Sequence, residues 1–331
     1  GAAWVFTRTA GTWGQQGKKL VGSGAVGQAL QGVSVSMSSD GNTALIGGYA
    51  DSGETGAAWV FTRSNGTWNQ QGSKLVGAGA VGNARQGISV ALSSDGNTAI
   101  VGGYIDDTLT GAAWVFTRTG GAWSQQGGKL VGSGAVRAGF GSYEGYSVSL
   151  SADGNTAIIG GYPDNGFTGA AWVFTRSGGV WTQLGSKFVG TGAAGNGEQG
   201  VSVSLSSDGN TALVGGFADN NFMGAAWAFT RTVSGVQSPG AGAPSQFSLG
   251  QNYPNPFNPT TAISYELPRA SDVNIGIYDV LGRLVSTLVH ERKEAGSYDV
   301  RFNGSNLSSG IYFYRMVAGD FAASRRFVLV K

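Results

Sequence analysis

The chain has no cysteine and a single histidine, His290, in its 331 residues. Without thiols there are no disulfides, no thiolate metal sites and no thiol nucleophile. His290 stands in the polar stretch VHERKEAG, where no adjacent nucleophile and orienting partner give it a catalytic role. The patterns HExxH and GxSxG and the phosphate-binding loop are also missing. Charge is scarce at 12 %, with a net of +2, so we expect neither a nucleic-acid partner nor a polybasic membrane patch. No apolar run reaches the roughly 18 residues of a membrane-spanning helix. The chain opens at Gly1 inside a motif, with neither Met nor signal peptide, and we expect upstream sequence to have been removed.

What is abundant is glycine, 59 residues without a collagen-like period, set beside aromatic and β-branched residues. That pattern describes many short strands with tight turns. The segment GAAWVFTR starts at Gly1, Gly56, Gly111 and Gly169 and returns as GAAWAFTR at Gly224. Its tryptophans, Trp4, Trp59, Trp114, Trp172 and Trp227, are spaced by 55, 55, 58 and 55 residues. The longer interval holds the divergent stretch Arg137–Tyr143, read as a loop insertion. Each period carries four strand-like pieces, in the first period Ala2–Thr7, Trp13–Val21, Val33–Met37 and Thr43–Gly48. Asp-Gly pairs at Asp40, Asp95, Asp153 and Asp208 join the last two as hairpins, because glycine accepts a positive φ without steric cost. Arg8, Arg63, Arg118, Arg176 and Arg231 recur on the Trp/Phe face of their strand, where they either cover aromatic rings or line a surface for acidic sugars.

Four antiparallel strands per repeat predict an all-β fold of tandem four-stranded units, β-propeller-like with about four blades, over residues 1–233. The order G-x-SVSLS-x-DGNTALIGG…GAAWVF resembles FG-GAP repeats, the blades of integrin-like propellers. Calcium-binding blades of that family carry several alternating carboxylates, whereas SSDGNT has one Asp, so we expect no metal and no cofactor. The strand types do not balance: five AAWVF-type copies stand against four of each other type. A ring of four blades therefore leaves one copy over, either Ala2–Thr7 or Ala225–Thr230. A spare, well-pairing strand invites exchange between chains, so a homo-oligomer or polymer is expected.

The repeat stops after Arg231. A Pro/Gly/Ser linker spans residues 234–246, and a third region, residues 247–331, has its own composition. Alternating runs such as Ile263/Tyr265/Leu267 and Val273/Ile275/Ile277 predict about seven short strands, an immunoglobulin-like β-sandwich. QNYPNPFNPTT, IYDVLGRLV, AGSYDVRFNGSNLSSGIYFYRM and the terminal RRFVLVK resemble the C-terminal sorting domain of type IX secretion substrates. The positions carrying the motif are Pro254, Pro256, Tyr278, Gly282, Gly310, Tyr312 and Lys331. The resemblance implies passage through an outer-membrane secretion machinery to the bacterial cell surface or the medium.

These features lead to the expectation of a non-enzymatic structural or adhesive surface protein, with self-assembly into a filament by strand or blade exchange. A propeller module binding a glycan or protein ligand is the alternative, favoured by varied loops after each TALIGG-type strand. A secreted hydrolase is a weaker third reading. It needs a polar cluster that breaks the repeat, and Arg137–Tyr146 offers only Glu144 and tyrosines.

Overall fold

Small and β-branched residues alternate in SVSM, TALIGG and AAWVFTRS, and each run becomes a strand. The computed structural model describes residues 1–231, 244, 246–252 and 255–330. It divides into two units, Gly1–Arg231 and Thr232–Lys331.

The first unit opens with a hairpin of β1 (Phe6–Thr9) and β2 (Thr12–Gln15). Three four-stranded antiparallel meanders follow. The first is β3 (Ser34–Met37), β4 (Thr43–Gly48), β5 (Ala57–Ser64) and β6 (Thr67–Gln70). The second is β7 (Ser89–Leu92), β8 (Thr98–Gly103), β9 (Ala112–Thr119) and β10 (Ala122–Gln125). The third is β11 (Ser147–Leu150), β12 (Thr156–Gly161), β13 (Ala170–Ser177) and β14 (Val180–Gln183). The last sheet has three strands, β15 (Ser202–Leu205), β16 (Thr211–Gly216) and β17 (Ala225–Thr230). The leading strands β3, β7, β11 and β15 lie against one another in succession, as the inner strands of propeller blades do. Their hairpins are also tied: Ser39 N–H donates to the Ser94 carbonyl (3.0 Å), Ser94 to Ala152 (2.9 Å) and Ala152 to Ser207 (2.9 Å).

Two expectations change here. The fourth strand of a sheet is the Thr-Trp segment (TWNQ in β6), so that of the expected piece Trp13–Val21 only the start, within β2, is strand and the KLV end is not. Gly72 follows β6 at φ +73 and turns the chain out of the sheet, after which only Leu75 pairs, with Ala58. Among the described residues no strand joins the last sheet to the N-terminal hairpin. The three complete sheets are flanked by a two-stranded and a three-stranded piece, and β2 is bonded to β1 rather than to β17.

Between sheets, Trp59, Trp114 and Trp172 are fully buried. Each indole N–H donates to a backbone carbonyl, of Ser23 (2.8 Å), Ala78 (2.9 Å) and Ser133 (3.0 Å). A buried tryptophan needs such an acceptor. Glycine of the LVG segment lies flat on the ring: a Cβ at Gly77 would stand 2.1 Å from Cδ1 of Trp114.

The segments after β4, β8, β12 and β16 each form one left-handed turn. In the second, Asp107, Thr108 and Leu109 have φ of +47°, +57° and +70°. Left-handed backbone costs a non-glycine residue about 1–2 kcal/mol, so the surrounding structure must hold it.

The second unit contains two antiparallel sheets around one core. One sheet orders as β18 (Ser248–Leu249), β19 (Thr260–Leu267) and β22 (Gly296–Asn303). The other orders as β21 (Leu284–Lys293), β20 (Ser271–Tyr278), β23 (Gly310–Ala318) and β24 (Phe321–Leu329). Ile263, Leu267, Ile275, Tyr314, Met316 and Phe327 meet between them. The Tyr314 hydroxyl donates to the Gly250 carbonyl (2.7 Å) and accepts from Asn252 N–H (2.8 Å), tying the entry segment to that core.

Candidate functional site

Most of the recurring residues singled out in the sequence form the frame of the repeat. In the Asp-Gly hairpin, Asp40 Oδ1 accepts the Asn42 N–H (2.9 Å) and the Ser38 hydroxyl, and Oδ2 accepts from the Asn42 side chain (3.0 Å). The Ser38 hydrogen bond foremost, then those of Asn42, hold the Asp40 carboxyl below its ordinary range. Asp95, Asp153 and Asp208 repeat the arrangement. Arg63, Arg118 and Arg176 lie over Trp68, Trp123 and Trp181, 5.6, 5.4 and 5.3 Å from the ring centroids. Each also bonds a glutamine of the preceding strand pair, Gln16, Gln71 and Gln126. Arg8 and Arg231 lie at the ends and make no such ring contact among the described residues.

The recurring positions that sequence reasoning passed over are charged and buried. Asp51, Asp106 and Asp164 open the left-handed turns and are essentially without solvent contact. One oxygen of each accepts a backbone N–H, from Val26 (2.8 Å), Val81 (2.7 Å) and Val136 (2.6 Å). The other is ion-paired with Lys74, Lys129 and Lys187. For Asp51, burial pushes the carboxyl up, but the Lys74, Val26 and Ser52 hydrogen bonds outweigh it and its pKa is lowered. These pairs pin the turns whose backbone is least favourable. The signal was present: Asp and Lys recur 23 residues apart in three successive repeats.

Two surfaces stand out. The first is formed by the ends of the array. Trp4 is 54 % exposed where Trp114 is fully buried, and Phe6, Val35 and Met37 are exposed beside it. At the other end Leu213, Phe217, Phe222 and Met223 are exposed, Met223 by 80 %. The internal copies of Trp4 and Leu213 are fully buried, whereas those of Phe217, Phe222 and Met223 follow the TALIGG-type strands and are for the most part half-buried. The second surface is an aromatic row that follows the TALIGG-type strands: Tyr49, Tyr104, Tyr162 and Phe217. Tyr143 and Tyr146, from the divergent stretch, stand edge-on to Tyr104 and Tyr162 with centroids 4.8–5.6 Å apart. Arg85 lies over Tyr49 and Tyr104 (both 5.7 Å) and is held by Glu54. Burial, then the neighbouring tyrosines, push Tyr162 up to about 12.

Among the described residues no group of three or more His, Cys, Asp and Glu converges on a point where a metal could sit. Glu144 is fully buried rather than open to a substrate. In the second unit, Tyr278 ends β20 and Gly282 takes φ +76 in the following turn. Gly310 begins β23, and Tyr312 stacks on Phe327 and donates to the Ser308 carbonyl (2.9 Å). Pro256 is exposed, and Pro254 and Lys331 lie outside the described residues.

No curated protein sequence matches the chain. Several solved structures are similar to it, three of which follow. One is a putative TolB from Agrobacterium tumefaciens (13 % identity, TM-score 0.38), matching over 82 % of this chain and 89 % of that one. Another is PorZ, a bacterial surface component of the type IX secretion system of Porphyromonas gingivalis (13 %, TM-score 0.32). That match covers 98 % of this chain and 48 % of PorZ. The third is the β-propeller domain of the Trilobed protease from Pyrococcus furiosus (11 %, TM-score 0.32; 96 % and 83 %). Residues 251–331 match the secretion system C-terminal sorting domain. The chain thus carries the C-terminal sorting domain of type IX secretion, engages that machinery, and is secreted and attached to the cell surface.

Proposed function

We propose that the protein is a non-catalytic structural or adhesive component of the bacterial surface whose repeat body associates with further copies through its ends, building a filament. The observation that carries this reading is the last sheet of the repeat body, β15-β16-β17, which has three strands where the sheets before it have four and leaves Leu213 48 % exposed where its internal copy Leu45 is fully buried. Exposed apolar surface of this kind marks interaction sites, and a sheet short of its last strand presents free backbone donors and acceptors. A head-to-tail contact that does not close on itself gives an open fibre. Light scattering on the purified chain is expected to show a mass that rises with concentration. A monomer throughout the accessible range overturns the reading.

The aromatic row supports a second reading, a binding surface for glycans. Half-buried tyrosines beside Arg85 offer flat apolar faces with polar tips, which suits sugar rings. Tyr104→Ala is expected to weaken retention on immobilised surface polysaccharide while leaving the melting temperature nearly unchanged. Equal retention of both proteins rules the row out.

A further inference from the structure

The repeats share one frame, and a marked difference between them gathers on the aromatic row. The residue before Gln31, Gln86, Glu144 and Gln199 is in turn Leu30, Arg85, Tyr143 and Glu198. All four sit on the same backbone, at φ of +51° to +56°. The Arg85, Tyr143 and Glu198 N–H groups donate to the carbonyls of Glu54, Leu109 and Phe167 at 2.9, 3.1 and 2.9 Å. The backbone is therefore constant, and only the side chain changes: aliphatic, cationic, aromatic, acidic. In a repeat protein, variation and insertions on a constant frame map to the binding face. The divergent stretch lands here too, with Phe140 standing 4.8 Å from Phe167.

The row alternates a recurring ring with a varied residue. Arg85 lies between Tyr49 and Tyr104, and Tyr143 between Tyr104 and Tyr162. The same register sets Glu198 between Tyr162 and Phe217. Its surroundings differ from those of Arg85 in one respect. Arg85 is met by Glu54, which closes an ion pair (2.9 Å). Phe167 stands in the place of Glu54 beside Glu198. Among the described residues the Glu198 carboxylate has neither an ion pair nor a hydrogen bond. It is half-buried, and burial pushes its carboxyl up with no cation to oppose it. The Tyr49, Tyr143, Tyr146 and Tyr162 hydroxyls likewise have no protein partner among the described residues.

We propose that this end of the row, around Tyr162, Phe167, Glu198 and Phe217, is a subsite for a protonated amine, and that the row holds an extended polysaccharide bearing free amino groups. The proposal rests on the reading of the row as a glycan surface and names the class of sugar. A carboxylate set among aromatic faces suits an ammonium twice, by charge and by cation–π attraction. An acidic sugar meets in the row an Arg85 already paired with Glu54, while Arg63, Arg118 and Arg176 lie over their own tryptophans. Rings in series from Tyr49 to Phe217 offer a contact face at each step, which a chain of sugars uses and a single amine does not.

Calorimetric titration with oligosaccharides of glucosamine, of N-acetylglucosamine and of galacturonic acid tests this, in mildly acidic buffer where the free amine is protonated. The aminated ligand is expected to bind about tenfold or more tightly than the acetylated one. A net charge of +2 gives a cationic ligand no general attraction, so the preference reports the site. Glu198→Gln is expected to abolish the preference while leaving the acetylated ligand's affinity and the melting temperature nearly unchanged. Glu198→Arg, which places at this position the side chain the second repeat already carries there, is expected to shift the preference to the acidic ligand. Equal binding of aminated and acetylated ligands by the wild type, or a wild-type preference retained in either variant, overturns the amine subsite. The glycan reading of the row survives that outcome if Tyr104→Ala still weakens binding. If no oligosaccharide binds, both readings fall, and binding of a lysine-rich peptide in their place points to a protein partner.

Discussion

A chain ending after residue 246 is expected to accumulate in the periplasm, with its surface-accessible fraction falling to background. The sorting-domain match covers residues 251–331, and the unit it falls in has a core of its own, from Leu249 to Leu329. The repeat body has separate cores, between its own sheets around Trp59, Trp114 and Trp172. Removing the tail therefore strips the export signal without opening the cargo. Circular dichroism of the truncated protein is expected to remain that of a β-protein, which separates lost targeting from lost folding. The reciprocal experiment adds residues 247–331 to an unrelated periplasmic protein in a type IX-competent host, where surface labelling is expected to appear. If the truncated chain reaches the surface as efficiently as the intact one, the sorting role of this unit is wrong.

The repeat was legible in the sequence because identical motifs at a fixed spacing leave little choice of strand and turn. The Asp-Gly hairpins could be named because glycine at positive φ has few uses between two strands. The fourth strand was drawn too long for a physical reason. Both TWNQ and KLV hold strand-favouring residues, but Gly17, Gly72, Gly127 and Gly185, at positive φ, turn the chain out of the sheet between them. The left-handed turns were legible only in part. Gly53, Asn165-Gly166 and Asn220-Asn221 favour that region, whereas Thr108-Leu109 does not, and the lysine that pairs with the aspartate opening the first three turns is distant in sequence. Asp51, Asp106, Asp164 and Asp219 recur as faithfully as the hairpin aspartates, but a single sequence does not reveal which aspartates are buried. The unpaired fifth AAWVF copy was countable, whereas the uncovered last sheet became visible only through the exposure of Leu213.

One substitution inside the repeat carries a large pH effect. Gln31, Gln86 and Gln199 grip a glycine of the LVG segment from both sides. In the second repeat the Gln86 side-chain carbonyl accepts the Gly77 N–H (2.6 Å) and its amide donates to the Gly77 carbonyl (3.0 Å). The third repeat places Glu144 there. One oxygen accepts the Gly132 N–H, and Oε1 is buried with no partner. A neutral carboxylic acid restores the missing donor, because its O–H takes the role of the amide. Burial above all, with Asp164 adding to it and the Gly132 hydrogen bond, Arg137 and Lys187 opposing, pushes Glu144 up to about 8.

The direction of the stability change follows from which state holds the proton. Below the ordinary carboxyl range, Glu144 is protonated whether the chain is folded or not, and its contribution is fully present. As pH rises from there, the unfolded chain releases the proton while the folded chain keeps it, so stability falls. The loss levels off above about pH 8, where the folded state ionises as well. Its full extent is on the order of 3–5 kcal/mol, or roughly 10 °C in melting temperature for a unit of this size. Glu144→Gln should reproduce the grip of Gln86 without a titrating group. The variant and the wild type are expected to melt together near pH 4 and to separate steadily up to pH 9, with the variant the more stable. Because both proteins share every other ionisable group, the difference between the two curves isolates this site. The protection of the Gly132 amide against hydrogen exchange, taken relative to its intrinsic rate at each pH, is expected to fall in the wild type over the same range and to hold in Glu144→Gln. Melting curves that superimpose at every pH would show that the Glu144 carboxylate finds a partner in solution and that the glutamine slot tolerates charge.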